Sequence, residues 1–329
     1  MTSATNRLSE LLESKEVLLA DGGMGTGLFE LGLANGAPGE LWNLDHPDRV
    51  ERIHRGFVEA GSDIILTNTF GANRYRFKLH GSQDKVREIN IAAARIARKV
   101  ADAAGRPVVV AGSIGPSGEM LEPIGERKPA DVEEAFAEQA AALKEGGVDV
   151  AWIETMFFEE ELGAAVRGAE RAGLPYVLTM TFDTGGRTMM GLKPEAAIKL
   201  PKRHGWHPLA FGANCGVGPA QLLDSVVALV KGSSTGDVIV AKANCGIPQV
   251  GDDMKVHYSG TPEIMADYAA LARGAGARIV GGCCGTTPTH LVAMRRALDE
   301  RPKGEPPTYA EIERRLGPVK ITTDKPKPV

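Results

Sequence analysis

Short apolar runs rich in β-branched residues alternate with longer alanine-rich stretches of helical period from near residue 17 to near residue 300. The runs are VLLADG (17–22), IILTNTF (64–70), VVVAGSIG (108–115), VAWIETM (150–156), YVLTMTFD (176–183), LAFGANC (209–215), VIVAKANC (238–245) and RIVGGCC (278–284). Such alternation marks repeated βα units. A count of about eight predicts an α/β protein built as a single-domain (β/α)8 TIM barrel. A doubly wound open sheet shows the same alternation and is the second choice. Between the runs, VREINIAAARIARKVADAAG places Val86, Ile89, Ala93, Ile96 and Val100 at steps of three and four, one apolar face to pack on a barrel. The steps EAGSD, EGGVD and RGAGAR fit helix C-caps that lead into the next strand. Both ends fall outside the repeat, which gives a leading segment at 1–15, a barrel at 16–300, and a C-terminal helix with a loosely held proline- and lysine-rich tail at 301–329.

Composition narrows the function classes. The chain has 329 residues, 43% of them hydrophobic, with a formal net charge of -4 and no long basic run, which argues against nucleic acid as a partner. The N-terminus lacks the apolar core of a signal peptide and no apolar stretch is long enough to span a bilayer, so the reading is a cytoplasmic protein without a membrane partner. Four cysteines are too few for a disulfide scaffold and are better taken as buried thiols, nucleophiles or metal ligands.

Every run ends in polar or small residues: Asp21, Thr67 and Asn68, Ser113, Glu154, Asp183, Asn214 and Cys215, Asn244 and Cys245, then Cys283 and Cys284. In a closed barrel these ends share the rim that carries active sites. Polar strand ends also arise simply because they meet water, but that does not account for cysteines gathering there. Cys215 ends the sixth run and the adjacent Cys283 and Cys284 end the eighth, so three thiolates plus one exchangeable position would suit a catalytic Zn²⁺. Adjacent residues of a regular strand point to opposite faces, and both can serve one metal only if the chain turns, which Gly285 permits. A strained disulfide, inert buried thiols and a thiol nucleophile remain alternatives at this point.

ADGGMGTGL resembles a nucleotide loop, yet the second run ends LTNTF without the acidic residue a dinucleotide site needs. Asp21 with Gly22 and Gly23 instead offers a carboxylate for an ammonium group and bare backbone N–H groups for a carboxylate, and Glu154 could join the grip on an amino acid. A tight turn closed by the aspartate explains the stretch equally well. Aromatic residues are scarce, so Trp42, Phe70, Tyr75 and Phe77 in the first two rim loops stand out as faces for a quaternary ammonium or as loop anchors, with Arg74 and Arg76 among them. In GTTPTHLVAMRRAL, Thr287 is the expected N-cap and Pro288 the first turn of a helix behind the cysteines, with His290 a surface residue.

With GANCG at 212–216 and GGCCGTTP at 281–288, downstream of DGGMGT and TNTF, the chain resembles the homocysteine S-methyltransferase family from about residue 16 to about residue 300. The resemblance implies Zn²⁺ held by Cys215, Cys283 and Cys284 as the catalytic centre. It also implies homocysteine held by Asp21, Gly22, Thr67 and Glu154, with Asn214 beside the first zinc ligand. The acceptor sulfur would bind the metal as thiolate and take a methyl group from a positively charged nitrogen, sulfur or corrinoid cobalt, forming methionine. Glycine betaine is the expected donor. S-methylmethionine, or methylcobalamin on a separate corrinoid protein, is the alternative, and a homo-oligomer is compatible with either. Betaine-using relatives carry a tyrosine after the fourth-strand glutamate and an aromatic pair after the second strand, where this chain has Thr155, and Phe70 followed by Gly71. A betaine cage therefore transfers only as far as Phe70. A reading from another class is a non-catalytic zinc or thiol-sensing barrel in which Cys245 completes a closed four-cysteine site.

Overall fold

A computed structural model describes residues 6–250 and 256–319. Each of the eight apolar runs contributes one strand of a single parallel sheet: β1 (Leu18–Leu19), β2 (Ile64–Leu66), β3 (Val109–Ile114), β4 (Val150–Met156), β5 (Tyr176–Met180), β6 (Ala210–Cys215), β7 (Ile239–Ala243) and, after a hairpin of β8 (Pro248–Val250) and β9 (Val256–Tyr258), β10 (Ala277–Gly282). The order β1-β10-β7-β6-β5-β4-β3-β2 runs round the sheet. An isolated parallel bridge between Ala20 and Ile64 brings its two ends together. The architecture is a (β/α)8 TIM barrel, as the pattern predicts.

Alternate side chains divide the strands between two cores. Leu18, Ile64, Val109, Val150, Val177, Ala210, Val240 and Ile279 come from all eight strands and meet in one cluster, which only the barrel interior allows. Their partners one residue away, such as Leu19, Ile65, Val110, Ile153, Leu178 and Val280, pack outward against the helices. Along β4 the inward series reads Val150, Trp152, Glu154, and along β7 Val240, Lys242. The interior thus changes from an apolar floor, through the fully buried Trp152, to a polar top. Gly212 makes room in this layering, since a Cβ there would lie 2.0 Å from the Val240 carbonyl oxygen.

Within the leading segment Arg7–Ser14 forms a helix, whose N-cap Asn6 accepts a hydrogen bond from the Ser9 N–H. Leu8 and Leu11 from one face of it join the interior cluster and close the barrel floor. The helix Val86–Asp102 buries Val86, Ile89, Ala93 and Val100 as the spacing predicts. Left-handed Gly147 and Gly276 end the helices before β4 and β10. The C-terminal helix Tyr309–Leu316 turns Ile312 and Leu316 into the core. The part of the expected loose tail from residue 320 onward lies outside the described residues. The β8–β9 hairpin has no counterpart in the sequence reading, because its three-residue strands are too short to show an alternation.

Leu8 is fully buried in the floor, so Leu8→Ala should cost about 2–5 kcal/mol. Equilibrium denaturation measures this, and an unchanged midpoint would mean that the leading helix does not seal the barrel.

Candidate active site

The C-terminal strand ends surround a cavity of about 300 Å³. Its walls bring together Asp21, Gly22 and Gly23 after β1, Thr67 and Phe70 after β2, Glu154 of β4, Cys215 of β6, and Cys283 and Cys284 after β10. Asn214 is not part of the wall. It is buried behind Glu154 and supports it from there.

The three sulfurs of Cys215, Cys283 and Cys284 lie within 4.8 Å of one another. They converge because two chain segments leave their strands at turns. Cys215 ends β6 in the left-handed region at φ 65°, while β10 stops at Gly282 and Gly285, at φ 79°, turns the chain so that both cysteines face one point. Backbone bonds fix this loop: the Cys283 N–H donates to Ala243 O (2.6 Å) and the Cys284 N–H to Asn244 Oδ1 (3.0 Å). Asn244 in turn donates from Nδ2 to Gly216 O at 2.6 Å, which ties the β6 and β10 turns together. Without a cation the thiols hold their protons. Cys283 is pushed up to about 12 by its hydrogen bond with Cys215 and, against the opposing bond with Cys284, by burial. Three thiolates at this spacing require a positive charge among them. Cys245 is fully buried and is not a member of the three-sulfur cluster.

Beside the sulfurs lies a buried polar group. Glu154 Oε1 accepts from Ser113 Oγ at 2.5 Å, and among the described residues Oε2 has only a long contact, 3.5 Å, from Asn214 Nδ2. Asn214 also accepts from the Thr155 N–H (2.8 Å) and donates to Thr155 Oγ1 (2.7 Å), which holds Thr155 at φ 61°. A β-branched residue in that region costs about 1–3 kcal/mol. Thr67 shares a hydroxyl network, its Oγ1 2.6 Å from Thr69 Oγ1 and accepting from the Ser113 N–H at 3.0 Å. Asp21 Oδ2 accepts from the Leu66 N–H at 2.7 Å. Burial pushes both carboxyls above their usual range, against the pull of Lys242.

Lys242 is a charged site residue that sequence reasoning missed. Its Nζ lies 3.1 Å from Asp21 Oδ1 and donates to Gly282 O at 2.5 Å, and the side chain lines the cavity floor. Burial opposes its charge, but Asp21 first, together with Glu154, outweighs burial and holds the ammonium above the ordinary lysine range. The available signal was one charged residue inside the apolar run VIVAKA.

Of the two glycines after Asp21, Gly23 does not offer its N–H as expected. The Gly23 N–H is already donated to Thr286 O at 2.9 Å, so it is not free for a substrate carboxylate. A Cβ at Gly22 would lie 2.3 Å from the same oxygen. These glycines let the β1 loop pack on the turn that carries the cysteines. His290 accepts from the Thr287 N–H at 3.1 Å and closes a capping box, which agrees with Thr287 as the helix start.

The aromatic residues of the first rim loops are engaged by the chain itself. The Arg49 guanidinium lies 4.8 Å from the centre of the buried Trp42 ring, and that of Arg127 4.8 Å from Tyr75. Arg76 lies 5.6 Å from Phe70, and Phe77 is buried in the core. Of these residues only Phe70 lines the cavity.

The homocysteine S-methyltransferase family profile matches residues 18–298. Methionine synthase of Mycobacterium tuberculosis is 33% identical over 325 residues, which cover 92% of this chain and 27% of that protein. The Mycobacterium leprae methionine synthase is 33% identical over 319 residues, covering 90% of the chain and 26% of its own length. This chain therefore spans about a quarter of these curated relatives. Among solved structures, the homocysteine methyltransferase MmuM of Escherichia coli superposes with a TM-score of 0.72 in its oxidized form, at 22% identity over 88% of this chain and 99% of that one. Its metallated form gives 0.71 at 23% identity, covering the same shares of the two chains, a likeness of fold. On the match across its barrel, this chain belongs to the homocysteine S-methyltransferase family.

Proposed function

We propose that the barrel is a zinc-dependent S-methyltransferase that makes methionine from homocysteine. The observation that carries this is the cluster of three cysteine sulfurs opening into the same cavity as the buried Glu154. Tetrahedral ligands at about 2.3 Å from zinc sit about 3.8 Å apart. The spacing of the three sulfurs accommodates this, and their thiol character is what a soft metal selects. Cys215, Cys283 and Cys284 would hold the ion. When bound, zinc supplies an open position at which the acceptor sulfur loses its proton near neutral pH. Glu154, with Oε2 underused, takes the α-ammonium, and Asn214 and Ser113 keep that carboxylate oriented. The new S–C bond uses the sulfur electron pair, and the pair of the broken bond stays on the methyl carrier. Positioning the two reactants is the protein's main contribution.

The donor is the finer question. Glycine betaine, the donor expected from the sequence, needs aromatic faces, and the rings at this rim carry arginines instead. A second observation, Phe29 half exposed on the cavity wall, suits a large donor brought up from outside. We therefore favour methylcobalamin carried by a separate protein or domain, in keeping with the name and greater length of the mycobacterial relatives. S-methylmethionine and betaine are the competing donors.

Purified zinc-loaded protein given homocysteine and each donor in turn tests this, with methionine as the readout. Turnover with methylcobalamin alone is expected, and turnover with betaine alone would return the donor to the small-onium class. Metal analysis addresses the ligand set: Cys215→Ala should abolish stoichiometric zinc while Cys245→Ala retains it. Loss of zinc in both would favour a closed four-thiolate site. Glu154→Gln should raise the KM for homocysteine about tenfold or more, because it removes the charge that meets the ammonium; unchanged kinetics would remove Glu154 from the acceptor site.

A further inference from the structure

Two buried carboxylates face one cavity that is read as taking a single ammonium. Asp21 is 1% and Glu154 6% exposed, and both line its wall. Among the groups that meet at the ammonium, with both carboxyls ionised, one ammonium leaves one negative charge over, and an uncompensated buried charge is strongly unfavourable. Lys242, 2% exposed, supplies the missing cation from inside the barrel. Its Nζ pairs with Asp21 Oδ1 at 3.1 Å, and among the described residues this ion pair is not supplemented by an aligned hydrogen bond to the same oxygen. The second anchor of Lys242 is Gly282 O, the carbonyl preceding Cys283. Around this ammonium stand Asp21 after β1, Glu154 of β4 and Cys283 after β10, with the neutral Asn214 of β6 behind Glu154.

We propose that Lys242 is a positioning residue that balances the acceptor pocket: it neutralises Asp21 and leaves the charge of Glu154 for the acceptor's single ammonium. This rests on the acceptor reading above. It distinguishes two uses of Asp21. If Asp21 is chiefly the partner of Lys242, the two can be removed together and a neutral floor remains. If Asp21 is an indispensable ammonium ligand, removing Lys242 as well restores nothing. The charge count also predicts that Asp21→Asn alone is harmful, because Lys242 then faces the incoming ammonium without a counter-charge.

The experiment is calorimetric binding of homocysteine to the full-length, zinc-loaded chain, with zinc content and circular dichroism recorded for each variant. Lys242→Met should weaken binding about tenfold or more. The double variant Asp21→Asn/Lys242→Met should bind more tightly than Asp21→Asn alone, recovering part of the loss. Should Lys242→Met fail to fold, the comparison of Asp21→Asn with the double variant decides alone. Wild-type affinity in Lys242→Met, or a double variant no better than Asp21→Asn, overturns the proposal. Glu154→Gln in the same series tests the acceptor reading separately. Wild-type protein that holds zinc but does not bind homocysteine would overturn that reading and this proposal together.

Discussion

The seam between β1 and β2 is where barrel and chemistry depend on the same atoms. The two strands share only one isolated bridge, and the Asp21 carboxylate completes the join by taking the Leu66 N–H that a longer ladder would have satisfied. The same carboxylate reaches Lys242 of β7, and Lys242 reaches the carbonyl ahead of Cys283. A chain of polar contacts therefore runs from the seam across the interior to the cysteine turn. Closure of the barrel and placement of the sulfurs are one problem, solved in low dielectric where each contact is strong and each omission costly.

Much of this was legible in the sequence because it is periodic or because it repeats at strand ends. Runs of β-branched residues located all eight barrel strands, and the position of cysteines at the ends of two runs located the sulfur cluster. The turn at Gly285 followed from the geometry of adjacent residues. What could not be read comes from contacts between elements far apart in sequence. Arg49 covers Trp42 from the next helix and Arg127 reaches Tyr75 from the loop after β3, so rings that look available in the chain are engaged in the fold. Lys242 was visible as an oddity, but its partners lie on β1 and β10. Gly23 looked like an anion-binding N–H, and only the packed loops show that Thr286 already takes it.

Two residues other than glycine adopt left-handed backbone among the described residues, Thr155 one residue before the end of β4 and Cys215 at the end of β6, and both line the cavity. Thr155 is held there by both ends of the Asn214 amide, and Asn214 directly precedes Cys215. The strain in β4 and the turn that presents the first sulfur are thus coupled through one side chain. Strain gathered beside the cysteine cluster and held by a buried amide keeps this part of the wall in one arrangement.

The alternation of the strands has a consequence for how such a protein can change. Floor, tryptophan layer and reactive top occupy successive inward positions of the same short strands, as in Val150, Trp152 and Glu154. Inserting or deleting one residue inside β4 would turn Glu154 toward the helices and bring a neighbour into the cavity. Changes in length are consequently tolerable only beyond the strand ends, where segments such as the β8–β9 hairpin between β7 and the next helix lie. New partners or donors would be acquired by lengthening loops at the rim, while the spacing within each strand stays fixed.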